Sequence, residues 1–326
     1  MFLSEAVAAG IATAMREDGT VFLFGEDVDR SVLGPTKGLV EEFGQERVRN
    51  TPISEQAVVG AMIGAAATGL RPVLDLMFGG FLYVAMDQVV NQLAHIGYMS
   101  GGRVRLPVVL MAGIGPSGQA GAQHSESPHA ALMQAAGVKV VVPSTPADAK
   151  GLMIAAIRDP DPVAYLMDVS LAGSRGPVDL ADAAVPLGRA AVRREGVHVT
   201  VAAMASAVPA SLMAAEGLSA SGIEVEVIDL RSLVPLDLDT VCNSIRKTRH
   251  LVIAETGRRT CGLGAEVAAR VLECAWETLE APPVRVAWPD VPVPFSPSLE
   301  FACIVTEGDV AEAVTRALGG RKPSAA

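Results

Sequence analysis

The sequence predicts two consecutive α/β domains, each built on a mainly parallel sheet with helices on both faces. Three observations carry this. Short apolar runs alternate with segments of helical apolar period along the chain, the pattern of parallel strands joined by crossover helices. The stretch 173–187, with Gly173, Gly176, Pro177 and Pro186 among small and acidic residues, breaks both periods and separates two series. A length of 326 residues suits two domains of roughly 100–200 residues each. The predicted division is a first domain at 1–172, a linker at 173–187 and a second domain at 188–326.

In the first series, 2–16 has a helical period, 21–24 is an apolar run, 54–68 is helical, 72–77 is strand-like and 81–97 is helical again. An apolar run at 107–111, a Gly-rich loop at 113–121 and a helix opening at Pro128 follow, then a run at 138–142, a helix at 146–158 and a strand at 162–166. In the second series the strand candidates are 197–203, 225–230, 251–254 and 283–286, with helices at 208–218, 238–246 and 264–278. A Pro-rich connector at 289–297 leads to a closing helix at 309–318, and the tail from Gly319 is expected to fray.

Aromatic residues make up only 4% of the chain, so the cores must be built from Ala, Val, Leu, Ile and Met. A mean hydropathy of +0.37 is high for a solitary chain and predicts apolar surface covered by other subunits. The uncharged stretches 56–70 and 106–125 are respectively too short and too broken by Gly, Pro and Gln to cross a bilayer, so no membrane span is expected. The N-terminal segment carries Glu5, Arg16, Glu17 and Asp18 and lacks the basic and apolar blocks of a signal peptide, which points to the cytoplasm. A net charge of −10 without a basic run argues against a nucleic-acid partner. Cys242, Cys261, Cys274 and Cys303 have no CxxC spacing and are expected as buried free thiols.

Three segments can carry chemistry. Glu55 follows Ser54, a good N-cap residue, and falls in the first turn of a Gly- and Ala-rich helix, where the helix dipole alone favours an acid. Met77 and Phe81 flank the join of a strand and a helix, a position that pattern alone assigns to the core. His124 ends a loop too polar and Gly-rich for the core and lies among Gln123, Ser125 and Glu126, a setting suited to proton transfer. His129 is expected at the surface or supporting the site. Gly60 and Gly64, one helical turn apart, predict a face on which backbones approach closely inside an assembly.

The segments Thr51-Pro52-Ile53-Ser54-Glu55, Phe78-Gly79-Gly80-Phe81 and Gly121-Ala122-Gln123-His124-Ser125 resemble the β subunit of the E1 component of 2-oxo acid dehydrogenases. The likeness spans nearly the whole chain, and 227–237 and Ala254-Glu255-Thr256-Gly257 are similar to the transketolase C-terminal domain. It implies a thiamine pyrimidine-binding domain followed by a transketolase C-terminal-like domain, with thiamine diphosphate as cofactor. Glu55 matches the glutamate that binds N1′ of the aminopyrimidine and favours the tautomer whose 4′-nitrogen takes the C2 proton. Phe81 matches the phenylalanine packed on the pyrimidine, Met77 a neighbouring apolar contact, and His124 the histidine at the substrate channel that assists acyl transfer to lipoamide. The carbonyls of Ala156, Ile157 and Asp159 match a potassium site of some members. Gly79 and Gly80 depart from the bulkier or polar pair common there.

No Gly-Asp-Gly segment occurs, so the resemblance implies that magnesium and diphosphate are held by an α subunit, in an α2β2 heterotetramer. Further implied partners are a lipoyl-bearing E2 or another acyl carrier, and a small 2-oxo acid. The competing reading is a split transketolase-like transferase moving a two-carbon ketol unit to a sugar or a carrier-bound thiol. A noncatalytic assembly subunit is disfavoured by the presence of both Glu55 and His124.

Overall fold

The computed structural model describes residues 1–116, 118–179 and 183–319. Part of the Gly-rich loop and of the expected linker, and the tail 320–326, lie outside these residues. The chain divides into two compact units, Met1–Leu187 and Gly188–Ala326.

The first unit begins with α1 (Leu3–Glu17), β1 (Val21–Gly25), α2 (Leu39–Phe43), β2 (Val48–Asn50), α3 (Glu55–Ala67) and β3 (Arg71–Phe78). A 3-10 segment (Gly79–Ala85) and a π segment (Asp87–Leu93) lead into α4 (Ala94–Met99), where the sequence predicts one α-helix. Then come β4 (Val109–Ile114), a 3-10 turn (Ala122–His124), α5 (His129–Met133), β5 (Lys139–Val141), α6 (Pro146–Arg158) and β6 (Val163–Asp168).

The strands of this unit pair in the order β5-β6-β4-β3-β1-β2, all parallel. Burial follows the strand period. Val73, Val109, Met111 and Tyr165 pack with α1 and α6, whereas Leu74, Leu110 and Leu166 between them point to the other face and are equally buried. Leu3, Val7, Ile11 and Met15 form the buried stripe of α1, each contributing about 1.5–3 kcal/mol by leaving water. Helix α6 starts as predicted because Thr145 accepts from the Asp148 N–H and Pro146 occupies the first turn. The expected linker packs on its own unit: Arg175 stacks over Phe2 at 4.2 Å, Leu3 N–H donates to the Ser174 carbonyl, and Val185 N–H donates to that of Gly151.

The second unit contains β7 (Ala191–Arg194), β8 (Val199–Ala203), α7 (Ala207–Ser219), β9 (Val225–Asp229), β10 (Ser232–Val234) and α8 (Leu238–Thr248). It continues with β11 (Leu251–Arg258), α9 (Leu263–Ala275), β12 (Val284–Trp288), α10 (Pro297–Phe301) and α11 (Glu307–Ala317). Its sheet has the order β12-β11-β8-β9-β7, parallel except for β7 against β9. Cys242 on α8 and Cys274 on α9 are joined by a disulfide. This corrects the expectation of four free thiols: the two residues are 32 apart in sequence, but packing of α8 against α9 brings them together. Cys261 is free and exposed, Cys303 free and buried. No helix among the described residues is long and apolar enough to cross a membrane.

Glu255, fully buried on β11, accepts from the Gly264 N–H at 3.0 Å and so satisfies part of the buried N-terminus of α9. A Cβ on Gly262 would stand 2.4 Å from that carboxylate and 2.5 Å from the Arg258 carbonyl oxygen. Gly262→Ala is therefore expected to destabilise the chain by about 1–3 kcal/mol, the usual cost of overpacking. Urea unfolding measures this, and a change below about 0.5 kcal/mol would show that the loop yields without loss.

Candidate active site

The loops after β1, β2, β3 and β4 leave the sheet at its carboxyl edge. Because the chain passes from β1 outward to β2 and then back across to β3, the space between β1 and β3 is a switch point, where open parallel sheets place ligands. A cleft opens there, lined by Glu26 beyond β1, Ser54 and Glu55 at the start of α3, Asp75 on β3 and Phe81. It is shallow, with about 20 Å³ open to the centre of a water molecule.

Ser54 is the N-cap residue of α3, but its side chain makes no capping hydrogen bond, so it does not close this helix as the sequence suggests. Glu55, the first residue of α3, is half-buried and faces the cleft. Phe81 lines the cleft and also belongs to an aromatic trio. Its ring meets the His124 imidazole edge-on at 5.4 Å between centroids, Phe78 meets the same imidazole at 4.9 Å, and the two phenylalanines lie 6.0 Å apart. These are favourable edge-to-face separations. One phenyl ring thus joins the carboxylate cleft to the histidine.

The end of β3 sets this arrangement. Its pairing with β4 shifts register between Asp75 and Phe78, and Met77 has a left-handed φ of 59°. The Asp75 carboxylate accepts from the Met77 N–H at 2.9 Å and holds the kink. Met77 therefore shapes the wall rather than lining the cleft, and neither it nor Phe81 is a fully buried core residue. Withdrawal from water pushes the Asp75 carboxyl up to about 6, against the small opposing effect of the Met77 hydrogen bond.

That shift has a sign. The folded chain holds the Asp75 proton more tightly than the unfolded chain does, so stability is lost as pH rises from about 4 through about 6. The separation from the ordinary 3.8 corresponds to roughly 3 kcal/mol at most. Asp75→Asn keeps the acceptor for Met77 and is expected to stabilise the isolated chain at pH 7.5 by about 1–3 kcal/mol, with the gain shrinking toward pH 4. Thermal melts across this range check it, and a pH-independent difference would remove Asp75 titration as the cause.

Phe78, Asp75 and Glu26 were not singled out from sequence. An ionisable residue between Leu74 and Leu76 in an apolar strand was the available signal for Asp75. His129 is buried, with Nδ1 3.0 Å from Ser127 Oγ, so of its two expected places the surface is ruled out. Ile157 and Asp159 lie elsewhere: their carbonyl oxygens accept from Arg71 Nη1 at 2.8 and 3.2 Å. Arg71 opens β3, six residues before the Met77 kink, so the carbonyls it binds lie toward the opposite end of a strand stretch roughly 20 Å long.

The residues present fit an aminopyrimidine, since Glu55 offers a carboxylate and Phe81 an aromatic wall at one cleft. Among the described residues no group of three or more His, Cys, Asp or Glu side chains is placed to hold a metal ion.

Residues 1–173 match the transketolase pyrimidine-binding domain and 188–310 the transketolase C-terminal domain. The chain thus belongs to the transketolase-type family of thiamine-diphosphate proteins. It is 42% identical to an acetoin:2,6-dichlorophenolindophenol oxidoreductase subunit beta from Bacillus subtilis, over 97% of both chains. It is also 39% identical to a pyruvate dehydrogenase E1 component subunit beta of the same organism, over 98% of both. Within the family it is a member of the E1 β subunits of thiamine-dependent 2-oxo acid dehydrogenases. A solved structure titled as an inactive beta4 tetramer of a split-gene transketolase superposes with a TM-score of 0.79 at 28% identity, over 97% of both chains.

Proposed function

We propose that this chain combines with an α subunit, as an α2β2 heterotetramer in the cytoplasm, to decarboxylate a 2-oxo acid and reductively acylate a lipoyl domain. The observation that carries the reading is Phe81, shared between the Glu55 cleft and the Phe78–His124 contact. When bound, thiamine diphosphate supplies the carbon that adds to the oxo group and accepts the electron pair released with CO2. Glu55 holds N1′ of the pyrimidine and exchanges a proton with it. Phe81 packs on the ring and keeps water from that proton, while the Asp75–Met77 kink holds the wall in place. His124, beyond Phe81, moves a proton at the acceptor side.

Two features support an α partner. The cleft is shallow and offers one wall of a pyrimidine site, which leaves the rest, with magnesium and the diphosphate, to another chain. Beside it, Ala57, Gly60, Ala61 and Gly64 of α3 and the side chains of Ile53 and Val84 are exposed, an uncharged surface suited to burial in a subunit contact. Potassium at Ala156, Ile157 and Asp159 would share two carbonyls with Arg71 and act on stability, far from the chemistry.

The relatives' names make pyruvate and acetoin the first substrates to try, and the identity of about 40% to β subunits of this kind, against 28% to the split transketolase, favours the dehydrogenase reading. The test is product analysis of the reconstituted α and β chains with pyruvate, branched-chain 2-oxo acids, acetoin and ketose phosphates, with and without a lipoyl domain. Lipoyl-dependent acyl transfer is expected, and ketose cleavage without any lipoyl reaction would overturn the proposal. The chain alone is expected to bind thiamine diphosphate weakly. Tight magnesium-dependent binding to it in calorimetry would contradict a divided site.

A further inference from the structure

Gly79 and Gly80 replace the bulkier or polar pair that the family resemblance leads one to expect, yet they open no extra pocket. A Cβ on Gly80 would stand 2.4 Å from the Gln123 carbonyl oxygen and 3.4 Å from Cγ of Glu126. A Cβ on Gly79 would stand 2.8 Å from Cδ of Pro128 and 3.2 Å from Cγ2 of Ile114. The space at Gly80 is filled by the backbone of the His124 turn, and that at Gly79 by the side chains of Pro128 and Ile114. Neither glycine has a positive φ, so what is required of them is space, not conformational freedom.

We propose that Gly80 is a positioning residue for His124: its bare backbone lets the Ala122–His124 turn close onto the Gly79–Ala85 segment and seats the imidazole between Phe78 and Phe81. The turn is fixed from the other side as well. Gly115 N–H donates to the Glu126 carbonyl at 3.3 Å, and Ser125, the residue after the histidine, is fully buried. With both flanks held, an added carbon at position 80 can be accommodated only if Gln123 retreats, by about 0.6 Å to reach the 3.0 Å below which Cβ contacts are not found. That movement carries His124 with it, the residue following Gln123. Displacements of about 1 Å in a catalytic constellation cost up to ~10²-fold.

The inference rests on the role proposed for His124, and the experiment separates the two. Gly80→Ala in the assembled α–β enzyme is expected to lower acylation of a free lipoyl domain about 10- to 100-fold, and decarboxylation with an artificial electron acceptor less. Combined with His124→Ala, it should cause no further loss; losses that multiply would show that Gly80 does not act through the histidine. A crystal structure of the assembled Gly80→Ala enzyme should show the imidazole displaced from Phe81, and an imidazole still edge-on at 5.4 Å overturns the proposal. If His124→Ala alone leaves acylation intact, the role of His124 falls while the ring position still decides that of Gly80. Should Gly80→Ala not assemble, a crystal structure of the Gly80→Ala chain by itself reads the same position: an imidazole displaced from Phe81 supports the proposal, and one still edge-on at 5.4 Å refutes it.

Discussion

Replacing Glu55 by Gln is expected to abolish exchange of the cofactor C2 proton in the α–β complex while leaving the fold and the α partnership intact. The two side chains are nearly isosteric, so α3 and the cleft wall shaped by Phe81 and Asp75 should persist. What the amide cannot do is exchange a proton with N1′ at neutral pH. Loss of a positioned acid–base group typically costs ~10²–10⁴-fold, and loss of the activating proton places the effect at the upper end. Exchange of the C2 proton with deuterium, followed by NMR with the complex saturated in cofactor, reads this step before any substrate enters. Exchange at the wild-type rate would remove Glu55 from the mechanism, whatever happened to turnover.

His124→Ala should act later in the reaction. The imidazole touches Phe78 and Phe81 rather than lining the Glu55 cleft, so it is separated from the Glu55 carboxylate by a phenyl ring. Acylation of a lipoyl domain is expected to fall by ~10²–10⁴-fold, and decarboxylation with an artificial electron acceptor by less. Equal losses would mean that His124 acts before the two pathways diverge. A loss under about tenfold in the lipoyl assay would make the histidine structural, an aromatic partner worth about 0.5–1.5 kcal/mol in its trio.

The strands of both sheets lie close to their predicted positions because parallel strands buried on both faces are continuous apolar runs, and helices such as α6 carry caps and Pro signals at their ends. What escaped prediction is short or edge-like. Strands β2 (Val-Arg-Asn) and β7 (Ala-Val-Arg-Arg) are half polar because they lie at sheet edges, where only one neighbour pairs with them. The predicted helix at 81–97 has helical composition throughout, yet winds as 3-10, π and α in turn. Its register is imposed by the β3 kink and by close contact with the His124 loop, which propensity does not register.

By itself the sequence determined two α/β domains, because apolar periodicity is local and survives in one dimension, whereas Glu55, Phe81 and His124 were proposed as a site through the family resemblance of their short motifs. Only the tertiary structure decided that one phenyl ring would join Glu55 and His124, and that the half-buried Asp75 would brace Met77. It alone decided that Cys242 would meet Cys274, and that Gly80 would leave room for a loop rather than a ligand. Apart from the Asp75–Met77 bond, which joins residues two apart, each of these is a contact between segments whose sequence separation says nothing of their distance. They are set by how strands order within a sheet and how helices pack upon it, and close packing then fixes the fit to fractions of an ångström.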